Sequence, residues 1–163
     1  MHRVPKLAGR LPRAAMMTAF ALLCLAPAAG SAQTSPAASA APRSFQEQDA
    51  VTVMDRFRQA LESESRSRTL KLFDGSRMPG FAVFRDEVTQ FFAQYRAPRV
   101  EYQITQVSQD GALGAIVAEF AIEAPPTTDG LPALRRRAQL RLVTSWDGKE
   151  WRITDLSPRT LFR

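Results

Sequence analysis

The chain has 163 residues, of which 45% are hydrophobic and 23% charged, and its 22 basic residues outnumber the 16 acidic ones. Its only cysteine and its only histidine, Cys24 and His2, both lie within residues 1–32, which have the features of a cleaved leader. The rest of the chain has neither thiol nor imidazole, which excludes disulfides, Ser-His-Asp or Cys-His catalysis, and zinc sites built from cysteine and histidine. We therefore predict no metal site and no cofactor.

Residues 1–32 have the pattern of a secretory signal peptide. A basic stretch precedes the apolar run AAMMTAFALLCLA, and the small residues Gly30 and Ala32 fit cleavage before Gln33. A retained membrane anchor is the alternative, but the apolar run is shorter than the ~20 residues that a spanning helix needs. The pattern predicts an exported protein, periplasmic or extracellular, with no membrane span after processing.

Removal of this leader changes the charge balance. Four of the 22 bases lie in residues 1–13, so 18 bases remain against 16 acids, a net charge of +2. The bases cluster in LRRRAQLR, residues 134–141, where strand alternation places Arg136 on one face and Arg135 and Arg137 on the other. This cluster is interpreted as a solvated strand end or as an anion-binding patch. It forms no wide basic face, so no nucleic-acid partner is predicted.

Residues 33–43 are rich in Ala, Ser and Pro, which predicts a disordered linker before a single domain at residues 44–163. Ser44 and Glu47 have the spacing of a capping box and predict the start of a first helix, which ends near Glu64. The apolar residues of this helix recur at intervals of three and four: Ala50, Val53, Met54, Phe57, Ala60 and Leu61.

Two further helices are predicted before the chain changes its pattern. A short helix is expected around Thr69–Phe73, and the segment DGSRMPG ends it. The third helix is expected from Phe81 to Tyr95. Aromatic residues dominate the face that it presents to the core, which consists of Phe81, Phe84, Val88, Phe91, Phe92 and Tyr95.

From Val100 onwards the hydrophobic residues recur with a period of two. VEYQITQV and GAIVAEFAIEA predict two strands joined at Asp110-Gly111, and RAQLRLVTSW and KEWRITDL predict a hairpin about Asp147-Gly148. Three helices are thus followed by a four-stranded antiparallel meander. With the helices packed on one face of the sheet, this is an α+β domain.

The last hairpin contains an unusual carboxylate. A two-residue loop at Asp147-Gly148 pairs Trp146 with Lys149 and places Asp155 on the apolar face, where an unpaired carboxylate costs several kcal/mol. Either the strand ends at Thr154, and Asp155 bonds nearby N–H groups or pairs with an arginine, or Asp155 is a pocket base or ligand anchor.

Aromatic residues belong to the pocket interpretation of this carboxylate. Tyr95 and Tyr102 would be the hydroxyl donors of a pocket built around Asp155. Trp146 and Trp151 fit core packing or a platform for a ligand.

The succession RFRQALE, LKLFD, FRDEVTQFFAQY and WDGKEWRITDLSP resembles the cone fold of the nuclear-transport-factor-2-like, or SnoaL-like, superfamily over residues 45–161. The resemblance implies three N-terminal helices packed on a curved antiparallel sheet of about four strands. That fold hosts ketosteroid isomerase, dehydratases, epoxide hydrolases and non-enzymatic interaction modules, so it implies no single activity. The family's strand or hairpin between the second and third helices is replaced here by DGSRMPG, so an open or small cavity is expected.

No catalytic pattern of the family can be matched residue by residue. The expected function is therefore non-enzymatic binding of a small apolar ligand or of a protein partner through the sheet, including a homodimer. The alternatives are a small lyase or isomerase with Asp155 as general base, and an envelope-associated structural protein. The candidate pocket residues are Met54, Phe57, Phe92, Tyr95, Tyr102, Phe120, Leu142, Trp146, Trp151 and Asp155.

Overall fold

The computed structural model describes residues 43–163, so the predicted signal peptide and nearly all of the predicted linker lie outside the described residues. Three helices precede four strands, which form one antiparallel sheet in the order β1-β2-β3-β4. The predicted α+β class and the order of its elements are confirmed. The elements are α1 (Glu47–Glu62), α2 (Arg66–Lys71), α3 (Phe81–Gln94), β1 (Arg99–Asp110), β2 (Leu113–Ala124), β3 (Leu134–Trp146), β4 (Trp151–Ser157) and a 3-10 segment (Arg159–Phe162).

None of the helices within residues 43–163 has the length and apolar character needed to cross a membrane.

The first helix begins differently from the prediction. Gln46, not Ser44, is the residue at its N-cap, and the carboxylate of Asp49 accepts a 3.0 Å hydrogen bond from the Gln46 backbone N–H. The predicted box of Ser44 and Glu47 is therefore wrong. Phe45 lies just before the helix, is buried, and donates its backbone N–H to the side-chain oxygen of Gln109 at 2.9 Å.

Phenylalanine side chains form the centre of the core. Phe57 of α1 lies with its ring centroid 5.8 Å from that of Phe120 on β2. Phe162 of the 3-10 segment lies between α1 and α3, with its centroid 6.5 Å from that of Phe57 and 5.5 Å from those of Phe84 and Phe91. The predicted stripe of α1 is confirmed, because its buried residues are Ala50, Val53, Met54, Phe57, Ala60 and Leu61.

The β3–β4 hairpin has a longer loop than predicted. Trp146 pairs with Trp151, so the loop comprises the four residues 147–150 and the predicted pairing of Trp146 with Lys149 is wrong. The carboxylate of Asp147 accepts the backbone N–H groups of Lys149 and Glu150, each at 2.8 Å. These two hydrogen bonds close the loop and hold the pKa of Asp147 below its usual value.

A β-bulge changes the faces of β4. Thr144 pairs with Ile153 and Val143 pairs with Asp155, which leaves Thr154 as the extra residue. Leu156 then takes the buried position opposite Leu142, and Asp155 shares the opposite face with Val143. The sequence placement of Asp155 on the apolar face is therefore wrong.

The two edges of the sheet differ in their protection. The edge of β4 is covered by the segment after α2, because the Ile153 N–H donates to the Leu72 carbonyl at 2.9 Å and the Asp74 N–H donates to the Ile153 carbonyl at 2.8 Å. β1 forms the other edge, where the carboxylate of Glu62 accepts the Val100 N–H at 3.1 Å. Within residues 43–163, no strand pairs with this free edge of β1.

Candidate functional site

The predicted pocket residues lie in three different environments. Met54, Phe57 and Leu142 expose none of their surface to water, and a cavity able to hold a ligand would leave part of its lining accessible. The interior beside these three side chains is therefore filled by protein. The half-buried members at the margin of the core are Phe92, Tyr95, Tyr102 and Trp146, while Phe120 and Trp151 are buried.

Asp155 makes an ion pair outside the core. One of its carboxylate oxygens lies 3.0 Å from Nη2 of Arg159, and its side chain is 40% exposed. Arg159 also donates to the carbonyl oxygen of Pro79 at 2.8 Å, which ties the 3-10 segment to the loop before α3. Pairing with an arginine, which belongs to the first of the two sequence interpretations, is the arrangement that the structure contains. The other part of that interpretation is wrong, because β4 does not end at Thr154 but continues to Ser157. The carboxylate is neither buried nor unpaired.

Tyr102 binds a different carboxylate from the expected one. Its hydroxyl donates a 2.8 Å hydrogen bond to Oδ1 of Asp55 on α1, and Nη2 of Arg58 lies 3.1 Å from the same oxygen. Burial, followed by this hydrogen bond and the charge of Asp55, raises the pKa of Tyr102 to about 12. A phenol held protonated can donate a hydrogen bond but cannot act as a base near neutral pH. The contacts among Tyr102, Asp55 and Arg58 therefore serve to join α1 to β1.

The two tryptophans are covered by the N-terminal part of the domain. The guanidinium carbon of Arg43 lies 4.3 Å from the centroid of the Trp146 ring, in the range of a cation–π contact. Phe45 packs edge-to-face on Trp151 with a centroid distance of 4.7 Å, and the two indole rings lie 5.7 Å apart. One face of the Trp146 ring is thus covered by the chain's own Arg43.

The opposite side of the sheet carries charged residues instead of a core. We call this side the outer face, and it is formed by strand residues that alternate with the buried ones. Its charged and amide residues are Arg99, Glu101, Gln103, Gln106, Glu119, Glu123, Arg135, Arg137, Gln139, Arg141, Arg152 and Asp155.

Charges on the outer face are matched across neighbouring strands. Glu123 of β2 lies between Arg99 of β1 and Arg135 of β3, and the Arg135 Nε is 3.9 Å from a Glu123 carboxylate oxygen. The groove along this row has a volume of about 560 Å³, and a second groove of about 410 Å³ runs beside Glu101 and Arg137. These grooves are shallow channels between side chains of the sheet.

The arginine cluster of β3 divides as the strand alternation predicts. Arg135 and Arg137 lie exposed on the outer face, whereas Arg136 points to the other side and donates from Nη1 to the carbonyl oxygens of Thr160 and Leu161, at 2.8 Å each. Arg136 therefore has a structural role, and the cluster is one part of a mixed-charge face. Sequence reasoning missed the β1 and β2 members of that face, because it weighed LRRRAQLR by itself.

Among residues 43–163, no three His, Cys, Asp or Glu side chains lie close enough together to hold a metal ion.

Comparisons with known proteins find likeness in structure. No protein-family model matches the chain, and no curated protein sequence matches it. A conserved protein from Planctomyces limnophilus superposes with a TM-score of 0.58 at 13% identity, over 68% of this chain and 91% of that chain.

Two further solved structures have similar scores. A proposed dehydratase of the nuclear-transport-factor-2-like family from Streptomyces avermitilis has a TM-score of 0.55 at 13% identity, over 67% of this chain and 92% of its own. A proposed aromatic ring hydroxylase from Novosphingobium aromaticivorans has a TM-score of 0.55 at 16% identity, over 69% of this chain and 89% of its own. At such identities the likeness is one of fold, and activity does not follow from it. The chain therefore has the cone fold of the nuclear-transport-factor-2-like superfamily, as the sequence predicts.

Proposed function

We propose that this domain is a non-enzymatic binding module that pairs with a second copy of itself through the outer face of its sheet. The observation that carries the proposal is the uneven distribution of charge on that face. The cations of β3 are Arg135, Arg137 and Arg141, and the acids of β1 and β2 are Glu101, Glu119 and Glu123, while Arg99 of β1 and Asp155 of β4 are exceptions. A face with most of its cations on one side and most of its acids on the other is complementary to itself.

A two-fold axis that runs along the strands, between β2 and β3, fits this distribution. Such an axis lays β3 of each copy over β2 of the other, so that Arg135 faces Glu123 of the partner subunit. Gln139 then faces Glu119 of the partner subunit. Small residues of β2, such as Ala115 and Ala121, lie towards the middle of the face and permit close approach of the two sheets.

The size of the outer face suits a stable dimer. A strand of 12 residues is ~40 Å long, and four strands spaced ~4.8 Å apart span ~14 Å. The flat area of roughly 600 Å² carries a larger accessible surface, near the ~800 Å² per partner of a standard interface.

Two observations favour a protein partner over catalysis and over an apolar ligand. The lyase or isomerase alternative requires Asp155 to face a cavity, but Asp155 contacts Arg159 at the surface. The apolar-ligand alternative requires space beside Met54, Phe57 and Leu142, which are fully buried. The envelope-protein alternative uses the same outer face with a different partner, and the self-complementary charges favour a second copy.

Sedimentation equilibrium of the purified protein tests the proposal. We expect the wild type to be a dimer and Arg135→Glu to raise the dissociation constant about tenfold or more, because it places two acids opposite each other. The swap Arg135→Glu with Glu123→Arg should restore most of the affinity. Arg85→Glu is the matched control, because it makes the same change of charge on the exposed side of α3. A monomeric wild type, or an Arg135→Glu variant as dimeric as the control, would overturn the proposal.

A further inference from the structure

The free edge of β1 contains a stretch with an unusual composition for an exposed strand. Between Glu101 and Asp110, the segment Gln103–Gln109 reads QITQVSQ, with no charge, no proline and no glycine. Natural proteins protect such edges with charged residues, proline, bulges, short strands or a covering segment. β1 is 12 residues long, and between Gln103 and Gln109 it has the bulge at Thr105 but no charged residue and no proline.

The protection elsewhere in the same sheet makes this edge distinctive. The β4 edge is covered by backbone hydrogen bonds from Leu72 and Asp74. The first part of β1 is covered by Glu62, which accepts the Val100 N–H, and by Asp55, which binds the Tyr102 hydroxyl. From Gln103 onwards, the outward side of β1 has no backbone partner within residues 43–163.

Side chains along this edge provide apolar contact surface. Ile104 and Val107 belong to the inner side of β1, contact the core and are only half-buried. Gln103 and Gln106 are exposed. An added strand would complete the burial of Ile104 and Val107 with its own alternate side chains, and its polar residues would lie beside the glutamines.

We propose that the edge of β1 at Gln103–Gln109 binds an extended segment of a partner protein as an additional antiparallel strand. We expect the partner's segment to be uncharged in its middle, to alternate β-branched with polar residues, and to carry basic residues at its ends. The basic ends follow from Glu101 and Asp110, which flank the stretch and make no ion pair within residues 43–163. Backbone hydrogen bonds supply affinity and the flanking acids supply selectivity.

A second copy of β1 fits this edge less well than a foreign segment does. Two β1 strands paired about a two-fold axis would bring the acids Glu101 and Asp110 of both copies close together. The β-bulge between Ile104 and Gln106 would also occur twice within a few residues, and each bulge interrupts the ladder. A flexible peptide has to adapt to one bulge only. This edge shares Glu101, Gln103 and Gln106 with the outer face proposed for dimer formation, but it binds through the backbone groups of β1, whereas the dimer uses side chains that project from the sheet.

Calorimetric titration with a synthetic peptide tests the inference on the purified protein. The probe is Lys-Thr-Val-Thr-Val-Thr-Val-Thr-Lys, and the matched control is the same peptide with N-methyl groups on every second residue, which removes the N–H donors of one edge. We expect one probe peptide to bind to each protein chain. The N-methylated control should bind at least tenfold more weakly. A version with glutamate at both ends should also bind more weakly. Equal binding of the methylated control would overturn the proposal, as would no binding of the probe.

Amide hydrogen exchange locates the peptide. The outward amides of Gln103–Gln109 should exchange at least tenfold more slowly with the probe bound, and the amide of Ile153 at the covered edge should be unchanged. Protection elsewhere in the molecule would overturn the proposal.

Two variants complete the test. Gln106→Lys should weaken binding of the basic probe, and Gln94→Lys, the same change on exposed α3, should leave it unaltered. The probe should also bind to the Arg135→Glu variant. This result would show that binding at the β1 edge does not depend on the dimer. If Gln106→Lys lowers self-association and the probe does not bind, the occupant is a second copy and the proposal is wrong.

Discussion

The hydroxyl of Tyr102 on the edge strand β1 and the carboxylate of Asp55 on α1 form a 2.8 Å hydrogen bond. Because burial and this carboxylate raise the pKa of Tyr102 to about 12, we expect its tyrosinate absorbance to appear well above the usual value of 10.0. Titration in a Tyr95→Phe background isolates this residue. Replacement of Asp55 by Asn should lower the Tyr102 pKa, since the negative charge is removed.

The raised pKa of Tyr102 also determines the direction in which stability changes at high pH. The folded state holds its proton more tightly than the unfolded chain, so the contribution of Tyr102 is complete below pH 10 and is lost as the pH rises through about 12. The free energy of unfolding should therefore fall over this window, and less steeply in Tyr102→Phe. An identical slope for both proteins would contradict the assignment.

Asp155→Ala should have a small effect on stability. The Asp155–Arg159 pair is partly exposed, and such pairs contribute about 0–1 kcal/mol. Urea unfolding of this variant beside Asp86→Ala, which removes another exposed partner of an arginine, gives the comparison. A loss of several kcal/mol for Asp155→Ala alone would show that its carboxylate does more than the structure assigns to it.

The error in placing Asp155 has a local physical origin. The Asp147-Gly148 signal is typical of a two-residue loop, but the side chain of Asp147 binds two backbone N–H groups and stabilises a four-residue loop instead. Thr154 then forms a bulge, which period-two alternation cannot reveal. The longer loop shifts the register by two residues and leaves each side chain on its face, so the bulge alone moves Asp155 away from the core, while Ile153, which precedes it, stays within the core.

Phe162→Ala should destabilise the domain by about 3–5 kcal/mol, because the ring is buried among Phe57, Phe84 and Phe91 and its loss leaves a cavity. Val83→Ala on the exposed side of α3 is the control and should change stability by less than about 0.5 kcal/mol. Chemical denaturation measures both. A similar small effect in both variants would mean that the 3-10 segment is not part of the core.

Gly114→Ala should destabilise the domain by about 1–3 kcal/mol, because the added Cβ would lie 2.4 Å from the ring of Phe45. In a Phe45→Ala background the clash disappears, so the same substitution should have a much smaller effect. A double-mutant cycle from urea unfolding measures this coupling. Additive effects of the two changes would contradict the contact.

Long-range pairings account for most of what the sequence could not predict. The buried stripe of α1 and the order of the strands follow from local periodicity. The row of Arg99, Glu123 and Arg135 does not, because the bulge near Thr105 moves β1 by one residue against β2 and brings Glu123, instead of its neighbour, opposite Arg99. Asp55 likewise lies off the apolar stripe, and its role follows from its contacts with Tyr102 and Arg58 in the folded structure.

The contacts of Arg43 and Phe45 also determine where the chain enters the domain. They fix the start of the domain beside Trp146 and Trp151, at the hairpin end of the sheet. Arg99 and Arg135 lie at the other end of strands that are ~40 Å long. The chain therefore enters the domain at one end of its sheet, about the length of a strand away from the charged row of Arg99 and Arg135.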